Sequence, residues 1–233
     1  MIATAPLIIG AGPSGLAVAL FLHERGISAR VVDAAAEPSP WSKALGVNPR
    51  TLDLLEPSGV TAAIVAEGTA VERVHVSRAG RPVATIPLDY AAVGARWPLT
   101  ILPQARTEML LHEALARKGV KVERGVRLTD VVQHGGIVRA DLAHPDGTVD
   151  AAQAPIMLGA DGAHSVVRKT LAAWKGLPSS EAPFHAALRC PDQNALTTTR
   201  WMMLLLSSTS SASLPDWTHT WFRAGALSLR FCR

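Results

Sequence analysis

A short apolar run, Pro6-Leu7-Ile8-Ile9, gives way to six residues holding three glycines, and then to a second apolar stretch, Leu16 to Leu22. The first run has the length of a buried strand, and the second, entered through a turn, predicts a helix. A third run, Val31-Val32, ends in Asp33 and predicts another strand. Strand, crossover helix and strand within residues 6–33 argue for a parallel sheet. Residues 34–48 lack periodicity and predict a loop, followed by a short helix from Arg50 to Leu55 that Pro57 closes. Val71 to Ser77 and Pro82 to Pro87 predict a hairpin around Ala79-Gly80, and residues 88–103 a loop ending in Leu102-Pro103.

Gln104 to Lys118 carries Met109, Leu110, Leu111, Ala114 and Leu115 at helical spacing, with Gly119 as its stop. Short alternating runs follow at 120–123, 126–133, 137–143 and 148–152, with turns at Gly135-Gly136 and Asp146-Gly147. They predict an antiparallel meander. Pro155 to Gly159 predicts a buried strand that runs through Ala160-Asp161-Gly162-Ala163-His164-Ser165 into a helix from Val166 to Ala173. The meander makes the fold a mixed α/β type rather than a plain doubly wound one.

Gly10-Ala11-Gly12-Pro13-Ser14-Gly15 sits between predicted strand and helix, and Asp33 follows Gly15 by eighteen residues. In that context a GxGxxG turn is a dinucleotide-binding fingerprint. Gly10 permits the tight turn, Gly12 lets the backbone approach a pyrophosphate, and Gly15 lets the helix pack close to the strand. The helix amino end then holds the phosphates with free N–H groups and its positive dipole end, and Asp33 is expected to accept hydrogen bonds from the adenosine ribose. The same stretch is not a secretory signal: it has no basic leader, and glycines and a proline interrupt it. It is also too short and broken to span a membrane.

Composition narrows the class. The 233 residues are 48% hydrophobic and 18% charged, enough for a sizeable core. The net charge of +4 comes from scattered basic residues, so no nucleic-acid stripe is expected. Two isolated cysteines, Cys190 and Cys232, make neither a metal site nor a disulfide framework, and the expected compartment is the reducing cytoplasm.

Four segments, in order, carry a family resemblance. They are Gly10 to Gly15 with Asp33; Lys43-Ala44-Leu45-Gly46-Val47-Asn48-Pro49-Arg50-Thr51-Leu52-Asp53-Leu54-Leu55; Leu102-Pro103-Gln104-Ala105-Arg106-Thr107-Glu108; and Gly159-Ala160-Asp161-Gly162-Ala163-His164-Ser165-Val166-Val167-Arg168. With these the chain resembles the FAD-dependent aromatic hydroxylases, the flavoprotein monooxygenases that include p-hydroxybenzoate hydroxylase and the polyketide hydroxylases. The second segment is similar to the family's R-A-x-G-V-x-x-R-T-L-E-x-L and the fourth to its GADG-x-x-S-x-V-R.

The resemblance implies a Rossmann-like FAD-binding domain with a parallel sheet and an antiparallel meander. It also implies FAD as cofactor, NADPH or NADH as reductant, and a small aromatic or polyketide-like substrate that is hydroxylated with dioxygen; the alternatives are another flavin oxidoreductase of the same fold, a halogenase or epoxidase, or a non-catalytic dinucleotide-binding remnant. Membrane insertion and a metal are not implied, and substrate identity and oligomeric state are not legible. The cofactor-binding set it implies is Gly10, Gly12, Pro13, Ser14, Gly15, Asp33, Lys43, Arg50, Gln104, Asp161 and Gly162. Lys43 stands where the family has arginine and lacks the bidentate fork. Asp33 stands for a more common glutamate and is shorter by one methylene. Asp161 reads equally as a helix cap, Gln104 as a solvated first-turn residue, and Arg50 as surface charge. His164 reads as structural. No residue set for nucleophilic or paired-carboxylate catalysis is present, as expected where the flavin carries the chemistry.

The resemblance runs to about residue 178, which is expected to close an FAD-binding domain, with the hairpin and loop of 71–97 on the substrate-domain side. Residues 179–233 read differently. The family's later G-D-A-A-H motif does not occur, and from Cys190 onward there is neither Glu nor Lys and little sustained period. These residues are expected to be either a truncated or out-of-frame tail or a divergent piece of the substrate domain. A chain without the later motif is expected to retain FAD weakly or not at all, with little or no hydroxylase activity.

Overall fold

A computed structural model describes residues 5–38, 46–79, 81–134, 136–162, 165–175, 186–189, 220–224 and 227–232. In chain order its elements are β1 (Leu7–Ile9), α1 (Pro13–His23), β2 (Arg30–Asp33), β3 (Gly46–Val47), α2 (Pro49–Leu55), a 3-10 turn (Glu56–Ser58), α3 (Val60–Glu67), β4 (Thr69–Ala70), β5 (Arg73–Arg78), β6 (Arg81–Pro87), β7 (Thr100–Ile101) and α4 (Gln104–Arg117). They continue with β8 (Val122–Arg124), β9 (Arg127–His134), β10 (Ile137–Ala143), β11 (Val149–Ala154), β12 (Ile156–Gly159), α5 (Val166–Lys175), β13 (Ala186–Arg189), β14 (Thr220–Ala224) and β15 (Leu227–Cys232). The chain divides into two units, one of residues 1–40 and 111–200, the other of 41–110 and 201–233. Residues 1–178, expected to form an FAD-binding domain, contribute to both units.

In the first unit the predicted parallel pair forms. β1 pairs parallel with β2 on one side and β12 on the other, and β2 pairs parallel with β8. The sheet order is β13-β12-β1-β2-β8, with β13 antiparallel at the edge. Ile9 lies opposite both Val32 and Gly159, so the three strands end at one level. α1 starts with Pro13 at its first position, where a missing N–H costs nothing. It buries Gly15, Leu16, Ala19 and Leu20. Leu16 and Leu20 are wholly buried, and each contributes about 2 kcal/mol by burial.

The meander β9-β10-β11 forms as expected, in the order β11-β10-β9. On β10, Val138, Ala140 and Leu142 are buried while Arg139 is exposed, the alternation of a strand with one wet face. Those residues join Leu7, Ile9, Val32, Met157 and Val167 in one core. Arg30 ties β2 to its neighbours: it donates bidentately to Glu123 at 2.8 and 2.9 Å and reaches Asp150 of β11 at 3.1 Å.

In the second unit Asn48 caps α2, accepting the Thr51 N–H at 2.8 Å. Pro57 does not leave the chain as a loop: a 3-10 turn follows, then Gly59 at φ +78, then α3, which sequence periodicity missed. α3 buries only Val60, Thr61 and Ile64, too few for a helical stripe to stand out. Short strands β3, β7 and β4 form a three-stranded sheet, with β3 and β7 inside regions expected to be loops. The hairpin forms as β5 and β6, and β15 and β14 extend it into a four-stranded sheet.

Most of the tail expected to be foreign lies outside the described residues. Its described parts, β13, β14 and β15, are paired strands. Residues 227–231 read Leu-Ser-Leu-Arg-Phe, five residues of alternation within β15.

Candidate dinucleotide-binding site

The glycine turn and the strand end at residue 160 meet in the first unit. Gly10 has φ +105, a conformation that L side chains rarely adopt. Its N–H donates to Val32 O at 2.8 Å, and Ala160 N–H donates to Ile9 O at 2.7 Å. A Cβ on Gly10 would strike the Ala160 carbonyl and lie 2.8 Å from the Asp161 nitrogen. A Cβ on Gly15 would strike the Gly10 carbonyl and come within 3.4 Å of the Ala160 Cβ. Gly10 and Gly15 are therefore glycines of close packing: the turn, α1 and the β12 exit are pressed together. Gly12 differs, because a Cβ there would meet nothing within 4 Å. The space beside the Gly12 backbone is open to a ligand.

The two helix amino ends of the unit are in opposite states. α5 is filled by its own chain. Asp161 Oδ2 accepts the Val166 N–H at 2.7 Å and the Val167 N–H at 3.3 Å, and Ser165 Oγ accepts the Arg168 N–H at 2.9 Å. Three first-turn donors are satisfied, which leaves α5 without the free N–H groups that an anion needs. α1 has Gly12 as its N-cap, no side-chain cap and no acid in its first turn. No acid of the helix's own first turn offsets its donors or its positive dipole end, about half an elementary charge.

Each acid predicted to reach the ribose holds its own backbone. Asp33 Oδ2 accepts the Ala11 N–H at 2.5 Å, and Oδ1 accepts the Ala35 N–H at 2.8 Å. For Asp161 the helix-cap reading holds through Oδ2. Its Oδ1 is buried and has no hydrogen-bond partner, a state that costs about 1–3 kcal/mol. A carboxylate oxygen takes two donors, so a ribose hydroxyl would satisfy it. Gly162, exposed and at φ +76, follows directly and leaves its side of the backbone uncovered. The open Gly12 backbone, the uncapped α1 and the orphaned Asp161 oxygen fit the ADP half of a dinucleotide.

Of the remaining predicted residues, Pro13 and Ser14 open α1 in the first unit, and the others belong to the second unit or are not described. Arg50 is exposed at the second position of α2. Gln104 opens α4 as expected, and its Nε2 donates to Glu108 Oε1 at 2.7 Å. Glu108 is only 5% exposed, so this amide supports a buried carboxylate. Lys43 and His164 lie outside the described residues. Sequence reasoning passed over Ser165, Ala160 and Ala11. The Ser165-x-x-Arg168 spacing was a legible cap signal. The importance of Ala160 lies in its small size against Gly15, and that of Ala11 in a backbone N–H, and neither leaves a mark in a single sequence.

Among the described residues no group of His, Cys, Asp or Glu could hold a metal ion, and no helix is long and apolar enough to cross a membrane.

The sequence profile of the FAD binding domain matches residues 3–217. The 6-methylpretetramide 4-monooxygenase of Streptomyces rimosus is 40% identical over 166 residues, 71% of this chain and 30% of that protein. The aklavinone 12-hydroxylase RdmE of Streptomyces purpurascens is 35% identical over 182 residues, 71% of this chain and 34% of its own length. Among solved structures, aklavinone-11 hydroxylase in ternary complex with FAD and aklavinone matches with a TM-score of 0.63 at 31% identity, over 73% of this chain and 35% of that one. The chain thus spans about a third of the length of the relatives it matches. The glycine turn, the parallel sheet and the matched residues place it in one lineage: the chain belongs to the FAD-binding domain family of the flavin-dependent aromatic and polyketide monooxygenases.

Proposed function

We propose that the first unit binds FAD by its ADP half, and that the chain serves as the FAD-binding part of a monooxygenase that hydroxylates a small aromatic or polyketide-like molecule at the expense of NADPH or NADH. The observation that carries this reading is the buried, partnerless Asp161 Oδ1 beside a glycine turn whose helix has no cap of its own. Gly10 and Gly15 keep the turn tight, Gly12 leaves room for the diphosphate, and the Ser14 and Gly15 N–H groups at the amino end of α1 bind it. Pro13 fixes the first helical φ without adding a donor. Asp161 divides its carboxylate, with Oδ2 on α5 and Oδ1 toward the ribose. The family resemblance alone names Lys43, Arg50 and Gln104 as cofactor residues as well. The flavin supplies the redox chemistry of such an enzyme, while the protein binds and orients. Cytosol, where thiols stay reduced, is the compartment implied.

Titration of FAD into the full chain, followed by flavin fluorescence, tests the binding half. Saturable quenching that ADP reverses is expected, and no binding of either ligand overturns the reading. NAD(P)H oxidation stimulated by a panel of phenols tests the enzymatic half. Binding without any such oxidation favours a dinucleotide-binding module that does not turn over by itself.

A further inference from the structure

Met109 belongs to the apolar stripe that marks α4 in the sequence, yet the core leaves it out. Leu110, Leu111, Ala114 and Leu115 are buried, whereas Met109 is 48% exposed. Met157, the other methionine among the described residues, is fully buried. The Met109 thioether is exposed but held. Arg106 Nη1, three residues earlier on the same helix, donates to Met109 Sδ at 3.2 Å. Arg106 is itself pinned: its Nε and Nη2 donate to the two carboxylate oxygens of Glu67, at the end of α3, at 2.5 and 2.6 Å. The planar guanidinium thus gives one edge to the carboxylate and a further N–H to the sulfur, a division that the compact ammonium of a lysine does not reproduce.

A thioether sulfur is a weak acceptor with a lone pair on each face of its C–S–C plane. The Arg106 guanidinium covers one face and draws electron density from the lone pair there. The other lone pair is the nucleophile left to an oxidant arriving from solvent. We infer that Met109 is a stereoselective oxidation site, at which hydrogen peroxide adds oxygen to the sulfur face turned away from Arg106 and yields one sulfoxide epimer. In that step the uncovered lone pair forms the S–O bond and the peroxide O–O bond breaks. Sulfur loses two electrons, and the second peroxide oxygen takes up the proton of the first and leaves as water. Each sulfoxide epimer is reduced by its own reductase class, so the Arg106 contact also decides which class restores Met109. The step needs no bound dinucleotide.

The test exposes the folded full chain to dilute hydrogen peroxide, quenches with catalase, and quantifies sulfoxide at Met109 and Met157 by peptide mass spectrometry. The Met109 peptide is then divided between the two reductase classes, each of which removes one epimer. Met109 is expected to oxidise at least about tenfold faster than Met157, because oxidation follows exposure. In the folded chain one Met109 epimer is expected in about fivefold excess, the scale of one hydrogen bond. The chain unfolded in urea, where the Arg106 contact is lost, is expected to give the two epimers in near parity.

Arg106→Ala uncovers the second lone pair, and the folded variant is expected to fall to the parity of the unfolded chain while Met109 still reacts ahead of Met157. Arg106→Lys is expected to lose the excess as well, since lysine lacks the fork that reaches carboxylate and sulfur together. Equal epimers in the folded wild-type chain would overturn the inference, as would Met109 reacting no faster than Met157. An undiminished excess in Arg106→Ala would assign the selection to the helix and not to the guanidinium, and would overturn it too. If Arg106→Ala does not fold, the epimer ratio in Arg106→Lys decides in the same way.

Discussion

At the residue scale the site is a set of small backbone tolerances. Gly15 faces the Gly10 carbonyl with no room for a Cβ. Gly15→Ala is expected to destabilise the chain by about 2–3 kcal/mol, the upper range of overpacking, because backbone and not a flexible side chain must yield. Urea unfolding measures this. Gly12→Ala serves as the control: its Cβ would enter open space, so stability changes little while ADP affinity falls. Asp161→Ala removes the acceptor of the Val166 and Val167 amides and is expected to cost about 1 kcal/mol of stability. It is expected to weaken dinucleotide binding as well, read by the same denaturant series and an ADP titration. The spacing of Gly10, Gly12, Gly15 and Asp33 was legible because turn, strand and helix each demand a residue type there. What Asp33 holds was not legible, since its partner is the backbone of Ala11, and any residue but proline offers that N–H.

At the element scale, apolar runs foretold β1, α1, β2, β12 and α5, and alternation foretold the meander. Burial on both faces, or on one, had stamped each with its period. The two-residue strands β3, β4 and β7 carry no period at all, and they exist through pairing between distant segments. α3 went unseen for the related reason that its buried face is three residues.

Ion pairs between elements give a pH-dependent prediction. The hydrogen bonds from Arg30 hold the Glu123 carboxyl below its ordinary range against the opposing effect of burial, and the Arg30 guanidinium is held correspondingly higher. A depressed acid stabilises the fold above its unfolded value and loses that contribution as pH falls through the folded one. Glu123→Gln is therefore expected to cost about 1 kcal/mol near neutral pH, on the scale of a half-buried bidentate pair. The gap to wild type narrows as pH drops below about 4, the ordinary glutamate range. Thermal melts of both chains from pH 7 to pH 3 check the sign; a gap that widens in acid contradicts it.

At the scale of the whole molecule, sequence order and structure part company. Residues 41–110 group with 201–233 in one unit, and residues 1–40 with 111–200 in the other. Such interleaving cannot be read from local patterns, because a unit boundary is set by which segments bury one another, and Trp41 to Leu110 shows no break in composition that announces it. The family was legible nonetheless, because its four motifs sit at strand ends and helix starts, where backbone geometry restricts the residue types allowed. Ligand occupancy should register globally: at a hundred times its dissociation constant a dinucleotide adds about 2.7 kcal/mol to the stability of the state that binds it.

Amide hydrogen exchange of the full chain, with and without saturating ADP, tests most directly whether the diphosphate lies against the amino end of α1. The predicted result is slowed exchange at Ser14 and Gly15, with Arg168, already held by the Ser165 hydroxyl, unchanged. ADP binding that leaves Ser14 and Gly15 at their free rates, while protecting amides elsewhere, would contradict it.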